Sequence, residues 1–182
     1  MMTSAECCPA DAAEKITARV TGLAANLASR SPVVRERART ALVAIGKPAV
    51  PALVPLLAHR AAHVRWEAGK ALCDISDPAA AAALVDALED READVRWVAG
   101  EALIALRRNG LASLLAALLR RAKSPEFCDG ARHVCHALAG RRKLGPILTP
   151  VLAALRESEP EIAVPLAAYT ALLKVYDLLE GR

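Results

Sequence analysis

The chain has 182 residues, of which 54% are hydrophobic, 24% charged and only 3% aromatic, which is the balance of one globular domain rather than of a disordered or fibrous chain. The formal net charge of +4 is mild for this length, so it neither requires nor excludes an anionic partner. With so few aromatic residues, the core must consist mainly of Ala, Leu, Val and Ile, which favours closely packed helices.

Two further features bear on the location of the protein. No uncharged run reaches the roughly 18 residues that span a bilayer, and the N-terminus lacks the basic and apolar regions of a signal peptide. We therefore expect a cytoplasmic protein without membrane association. The five cysteines, two of them adjacent at Cys7 and Cys8, form no CxxC motif and no even-numbered disulfide set, so we expect free thiols and assign Cys7 and Cys8 no role.

The chain divides into a tail and a series of helical segments. Residues 1–10 are predicted to be a flexible N-terminal tail, and residues 11–182 a single domain. Apolar residues recur there with helical spacing in segments of two alternating kinds, A and B. The A segments are residues 11–29, 48–59, 78–90, 110–122 and 145–157, and the B segments are residues 34–45, 64–75, 95–106, 127–138 and 164–175.

The B segments repeat one another. VRERARTALVAI (34–45), VRWEAGKALCDI (64–75) and VRWVAGEALIAL (95–106) align without gaps at steps of 30 and 31 residues. The fourth and fifth copies are degenerate and keep only some apolar positions. A period of about 31 residues indicates a solenoid, because one hairpin buries too little apolar surface to fold alone. The predicted repeats are residues 11–46, 47–76, 77–108, 109–140 and 141–180.

These motifs resemble a known repeat family. Val-Arg-Trp at 64–66 and 95–97, the Ala-Leu pairs at 71–72 and 102–103, and Asp77-Pro78 opening the next helix are similar to HEAT-like repeats, specifically the short phycobilin-lyase type, over about residues 10–180. The resemblance implies an all-α fold: a right-handed α-solenoid of about five helical hairpins, with the B helices lining a concave groove. Most members are scaffolds that bind proteins, and a few are enzymes or enzyme subunits.

The candidate binding surface is the side of the B helices opposite the core. The third, seventh and tenth positions of each B segment lie on it, and they place Trp66 and Trp97 at equivalent points of neighbouring repeats. Tryptophan is enriched among interface hot spots, although at this position it could instead cover the seams between repeats and the stems of arginines. The predicted partner-binding residues are Trp66, Trp97, Lys70, Glu101, Arg37, Glu67, Asp129 and His133.

Other recurring residues are interpreted as structural. Arg35, Arg65 and Arg96 stand at the second position of their B segments, where a guanidinium can bond to carbonyl groups or to an Asp of the next unit. Gly69 and Gly100 face the neighbouring B helix and allow close approach. The remaining basic clusters (107–108, 120–123 and 141–143) lie at helix ends on opposite edges of the solenoid, so they are not expected to form one phosphate track.

The sequence favours a non-catalytic scaffold that binds a partner protein through the groove, without a cofactor or metal. A metal site built from Glu101, Asp129, His133 and His136 is conceivable, but the spacing is not HExxH. The alternative is a phycobilin-lyase-like or other tetrapyrrole-binding enzyme subunit. A HEAT-like nucleic-acid-binding protein or DNA glycosylase is less favoured, because the groove carries several glutamates.

The sequence leaves the partner's identity and the oligomeric state open. Apolar residues on the last helix, such as Tyr176 and Leu179, could mask the end of the solenoid or dock a second copy of the chain.

Overall fold

The computed structural model describes residues 9–181, with side chains from residue 13 onward. The described residues form ten α-helices and no strand, so the predicted all-α fold is confirmed. The helices are α1 (Pro9–Asn26), α2 (Pro32–Ile45), α3 (Val50–Leu53), α4 (Ala62–Ile75), α5 (Ala81–Asp86), α6 (Ala93–Ala105), α7 (Arg108–Arg121), α8 (Pro125–Ala139), α9 (Gly145–Ala154) and α10 (Pro160–Leu179). Cys7, Cys8 and most of the predicted tail lie outside the described residues, whereas residues 9 and 10 begin α1.

Consecutive helices pair into five hairpins, α1/α2 to α9/α10, which correspond to the A and B segments of the sequence. The A helices α3 and α5 are short. The rest of each A segment forms 3₁₀ turns, one before and one after the α-helix. Pro51 in α3 and Pro55 in the 3₁₀ turn that follows it lack the N–H donors that a longer α-helix would need.

The core is aliphatic, as the composition predicts. Phe127 is completely buried, and the other large buried side chains are leucines. On α4 the inner positions Val64, Ala68 and Leu72 are buried, as the helical spacing indicates. One continuous apolar cluster runs from α1 to α10, so the hairpins share one core.

The B helices α2, α4, α6 and α8 pack in sequence against one another and form a row. Glycine permits two of these contacts. A Cβ atom on Gly69 would lie 2.8 Å from Cγ1 of Val98, and one on Gly100 would lie 3.3 Å from Cδ2 of His133. Both glycines therefore face the next B helix and allow it to approach closely, as the sequence indicates.

The last hairpin departs from the regular stack. In a regular solenoid α9 would lie beside α7 and α10 beside α8, but here α9 packs against α8, while α10 packs mainly against α7 and also against α9. The insert at residues 141–144, which forms a turn, stands where the chain changes rows. The final helix thus extends the row of A helices, and its outer side faces away from the molecule.

Among the described residues, α10 is long and apolar enough to cross a membrane when judged by length and composition alone. Lys174 and Asp177 interrupt the uncharged part of this helix, so it contains no uncharged run of 18 residues. One side of α10, including Val164, Ala168 and Val175, is buried against the rest of the fold.

Candidate functional site

The B helices are anchored by the repeated arginine at their second position. Nη1 of Arg35 donates to the carbonyl of Ser29 at 3.0 Å, Nη1 of Arg65 to that of His59 at 2.9 Å, and Nη1 of Arg96 to that of Asp90 at 2.7 Å. Each guanidinium therefore satisfies a carbonyl in the turn that leads into its own helix. The sequence predicted bonds to carbonyls but did not specify this turn. The bonds hold the surface residues that follow each arginine in place.

Arg65 also links two repeats through a buried ion pair. Its Nε and Nη2 atoms donate to the two carboxylate oxygens of Asp90 at 2.6 and 2.7 Å. Burial by itself raises the pKa of the Asp90 carboxyl group. Hydrogen bonds from Arg65 and from the N–H of Glu92, together with the charges of Arg65 and Arg91, nevertheless bring that pKa below its usual value.

Glu67 makes the corresponding link between the first two hairpins. Its carboxylate accepts from Nε of Arg35 at 3.3 Å and from Nη1 of Arg39 at 2.6 Å, and the residue is only 5% exposed. The charge of Glu67 is therefore already paired inside the protein, although the residue lines the cavity beside Trp66, and its contact with a partner stays a prediction.

The two tryptophans differ although their positions in the repeat are equivalent. Trp66 is partly buried, and the guanidinium carbon of Arg39 lies 5.8 Å from the centre of its ring. Trp97 is 56% exposed. The residue equivalent to Arg39 in the next repeat is Gly69, which has no side chain to cover Trp97. Comparing the sixth positions of the repeats could have revealed this difference from the sequence.

We call the outer side of α2, α4, α6 and α8, which carries Glu36, Trp66, Trp97 and Asp129, the B-row face. Beside Trp97 it contains a cavity of about 180 Å³. Beside Trp66 it contains a second cavity of about 320 Å³, which Glu92 and Asp94 also line. The lining of the cavity beside Trp97 consists of Arg96, Trp97, Gly100, Glu126, Asp129, Gly130 and His133.

Four of the predicted contact residues lie close together: Trp97, Glu101, Asp129 and His133. Nε2 of His133 lies 2.9 Å from Oε1 of Glu101, which joins α8 to α6, and Asp129 is exposed and paired with Arg132 on its own helix. Arg96, Glu126 and Gly130 line the same cavity but were not predicted. Glu126 lies outside the aligned B segment, so the repeat pattern could not assign it to this face.

The other predicted residues lie farther along the row. Lys70 is partly buried on α4, and Arg37 is exposed on α2, two helices away from Trp97. Of the residues weighed as metal ligands, Glu101 and His133 are in contact, whereas Asp129 pairs with an arginine. Within residues 9–181 no group of three His, Cys, Asp or Glu side chains could hold a metal ion.

A larger cavity, of about 550 Å³, lies at the edge where B helices lead into A helices. It joins the basic clusters 107–108 and 141–143, which both lie where a B helix leads into an A helix. Its lining residues are Leu106, Arg107, Arg108, Asn109, Arg141, Arg142, Lys143, Leu144 and Leu179. The third basic cluster, residues 120–123, is not part of this lining.

Comparison with known proteins identifies the repeats. Residues 20–104 match the family model of HEAT repeats, whereas no curated protein sequence matches the chain. Among solved structures, the chain is similar to an engineered protein, with 22% identity over 93% of this chain and 85% of that chain (TM-score 0.44). It is also similar to a designed armadillo repeat protein in complex with the peptide (KR)4, with 20% identity over 91% and 92% of the two chains (TM-score 0.43).

The family match covers α2 to α6, which carry the three closely similar B segments and both tryptophans. It is a match to HEAT repeats in general and does not extend to the short phycobilin-lyase type. Together with the stacked hairpins and the repeated arginines, it shows that residues 20–104 form HEAT-like repeats.

Proposed function

We propose that this protein is a non-catalytic scaffold that binds a partner protein through the B-row face, with Trp97 as the principal anchor. The observation that carries the proposal is the exposure of Trp97, more than half of whose surface is open beside a cavity of about 180 Å³. A large indole that is exposed and already held on a rigid helix contributes apolar contact area at a small cost in entropy.

The surroundings of Trp97 support a role in binding rather than in folding. Arg39 covers Trp66, but no equivalent side chain covers Trp97. The bond between His133 and Glu101 and the packing of Gly100 against α8 fix the walls around the indole. A partner would therefore meet a surface that needs little rearrangement, which lowers the entropic cost of association.

The charges near Trp97 favour a cationic partner segment. Glu92 and Asp94 stand at the start of α6, and Glu126 and Asp129 stand at the start of α8, all exposed. Arg96, which is held by backbone carbonyls, and Arg132, which pairs with Asp129, offset only part of this negative charge. We infer that the partner presents an apolar side chain to the cavity and Lys or Arg residues to its rim.

The B-row face gives no specific support to the two alternative functions, a tetrapyrrole-binding enzyme subunit and a nucleic-acid-binding protein or DNA glycosylase. The acidic residues around Trp97 oppose binding of a nucleic acid. The cavities beside the tryptophans are open, and no arrangement there singles out a tetrapyrrole. The proposal includes the predicted cytoplasmic location, which the free thiols of Cys73, Cys128 and Cys135 support.

Replacement of Trp97 tests the proposal. Proteins captured from the source cell with the wild-type chain and with Trp97→Ala are compared, and the partner identified is then titrated in purified form. We expect the Trp97→Ala variant to bind about 30-fold or more weakly, which corresponds to about 2 kcal/mol. The far-ultraviolet circular dichroism should not change, because Trp97 is a surface residue.

Val33→Ala is the matched control, since Val33 is an exposed apolar residue on α2 of the same row. It should retain the partner at wild-type affinity. Equal affinity of wild type and Trp97→Ala for the same partner would show that the B-row face is not the binding site.

A further inference from the structure

The exposed apolar residues of this protein are concentrated on the outer side of α10. Five of them, between 48% and 73% exposed, lie on this helix in addition to the more peripheral Leu179. We call them the outer seam. Its members are Ile162, Leu166, Tyr169, Leu173 and Tyr176.

The outer seam has the spacing of a helix-pairing surface. Its residues follow one another at intervals of four, three, four and three, which is the a/d pattern of a heptad repeat. Because this pattern lies opposite Val164, Ala168, Ala171 and Val175, the helix has two apolar sides, one buried in the fold and one open. No charged residue interrupts the seam, and Lys174 and Asp177 lie to one side of it.

The two ends of the solenoid are unequal. At the N-terminal end, the exposed side of α1 carries Glu14, Lys15 and Arg19, with Ile16 as the large exposed apolar residue among its described side chains. At the other end, α10 presents the outer seam. A contiguous exposed apolar side marks an interaction surface, and among these two helices only α10 carries one.

We propose that a second copy of this chain covers the outer seam, through an antiparallel pairing of the two α10 helices about a two-fold axis. In this pairing Tyr169 meets Tyr169 of the other copy, Leu166 meets Leu173, and Ile162 meets Tyr176. Each of these pairs sets apolar side chains against each other, and the antiparallel arrangement of the two helix dipoles is favourable. A single self-complementary end closes the assembly at two copies and does not produce a filament.

The area of the seam fits a dimer of moderate strength. If a large apolar residue exposes roughly 200 Å² when fully open, the five seam residues present about 600 Å² in each copy. If the seam is fully covered, the pair buries about 1,200 Å², at the lower limit of stable interfaces, and we expect a weak dimer with a dissociation constant in the micromolar range. The outer seam lies on α10, away from the row of α2, α4, α6 and α8. The dimer would therefore leave the B-row face of each copy open.

Sedimentation velocity over a series of concentrations of the full chain tests the dimer. We expect the mass to rise from 19.2 kDa to twice that value as the concentration passes through about 10 µM. Leu166→Glu should keep the chain monomeric over the same range and leave its circular dichroism unchanged, because Leu166 is 73% exposed. The matched control is Ile16→Glu at the opposite end, which should dimerise like the wild type.

A charge-swap experiment tests the antiparallel pairing itself. Leu166→Lys and Leu173→Glu should each be monomeric alone, and an equimolar mixture of the two variants should form a heterodimer. The reason is that the lysine introduced at position 166 of one chain then faces the glutamate introduced at position 173 of the other. In a parallel pair these positions would not meet, and mixing would restore nothing.

Three results would overturn the proposal. One is a wild-type chain that remains monomeric well above about 100 µM, where a micromolar dimer is nearly complete. The second is a dimer that Leu166→Glu leaves intact. The third is a monomer that binds phosphatidylcholine vesicles and loses this binding in Leu166→Glu, which would assign the seam to a membrane surface. None of these results depends on Trp97, so this proposal and the proposed function can fail separately.

Discussion

Arg107 holds a backbone conformation that residues other than glycine rarely adopt. It joins the end of α6 to the start of α7 with φ 56° and ψ −122°, and its side chain is exposed. A cation immediately before α7 also meets the positive end of the helix dipole, although it favours the negative end of α6. These dipole effects oppose each other, so the strained backbone dominates the energetic cost of this residue.

Arg107→Gly should therefore stabilise the protein. Glycine adopts positive φ without steric cost, and after allowance for its greater freedom in the unfolded chain we expect a gain of about 1 kcal/mol in the free energy of unfolding. Urea denaturation followed by circular dichroism measures the change as a higher midpoint at an unchanged slope.

Arg108→Gly serves as the matched comparison at the adjacent position. Arg108 has a helical backbone, and its Nη1 donates to the carbonyl of Leu178 at 2.9 Å, which ties α7 to the end of α10. Its replacement should destabilise the protein. A lower midpoint for Arg107→Gly would mean that its side chain stabilises the fold more than its backbone strains it.

For single residues, the sequence predicted the position of a side chain in the repeat better than its exposure to solvent. Trp66 and Trp97 lie at equivalent points of their repeats, as predicted, and of the bonds predicted for the second-position arginines, to carbonyls or to an Asp of the next unit, Arg65 makes both. The burial of Glu67 and the partial burial of Trp66 could not be predicted from the sequence of their own repeat. Both depend on Arg39, which reaches across from the preceding helix, and a repeat alignment shows identities but not such contacts.

At the scale of the helices, ion pairs between repeats complement the apolar packing. The best defined is the bond between Arg65 on α4 and Asp90 in the turn before α6, in which both side chains are nearly inaccessible. A buried ion pair often stabilises the fold no more than two apolar residues of similar volume would. Removal of one partner, however, leaves a buried charge without compensation. The main effect of this pair is to fix how the second hairpin sits on the third.

Asp90→Asn should make stability less dependent on pH. Because the folded protein lowers the pKa of Asp90, the carboxylate stabilises the fold above the ordinary Asp pKa of about 4, and this stabilisation is lost as the pH falls through the lowered value. We expect a cost of about 3 kcal/mol at neutral pH, since Arg65 loses its counter-ion, and a progressively smaller difference from the wild type below about pH 4.

Urea unfolding at a series of pH values measures this difference. Asp74→Asn, an exposed carboxylate on α4, removes the same charge and should change stability by less than about 0.5 kcal/mol. A difference between Asp90→Asn and the wild type that remains constant from neutral to acidic pH would show that the ion pair is not its cause.

The last hairpin marks the limit of prediction at this scale. Its B segment keeps the buried positions Ala168, Ala171 and Leu172, and the structure buries all three. Their spacing specifies which side of α10 is inward but not which helix it packs against. That choice depends on the turn at residues 141–144 and on the fit of α10 to α7, neither of which leaves a periodic signal.

At the scale of the whole molecule, α7 is the helix through which the hairpins are joined. It contacts α5, α6, α8 and α10, and its leucines Leu111, Leu114, Leu115 and Leu118 are completely buried. A regular solenoid joins each repeat only to its neighbours, so its ends can unfold separately. Here one continuous apolar cluster runs from α1 to α10, and α10 packs closely on α7 of the adjacent hairpin, so we infer that the chain unfolds as one unit.

Leu115→Ala tests whether the chain unfolds as one cooperative unit. Truncation of a fully buried leucine should reduce the free energy of unfolding by about 3 kcal/mol, through lost burial and the cavity that remains. Both tryptophans lie in the second and third hairpins, so their fluorescence reports on a part of the molecule that does not contain residue 115, whereas circular dichroism reports on all helices.

If the hairpins unfold together, the urea midpoints from fluorescence and from circular dichroism should fall by the same amount in Leu115→Ala. Val33→Ala, an exposed truncation on α2, should shift neither midpoint appreciably. A fluorescence midpoint that stays at the wild-type value while the circular dichroism transition splits would contradict this. The second and third hairpins would then form a unit that is stable without the fourth and fifth, and the contact between α7 and α10 would close only the C-terminal part of the molecule.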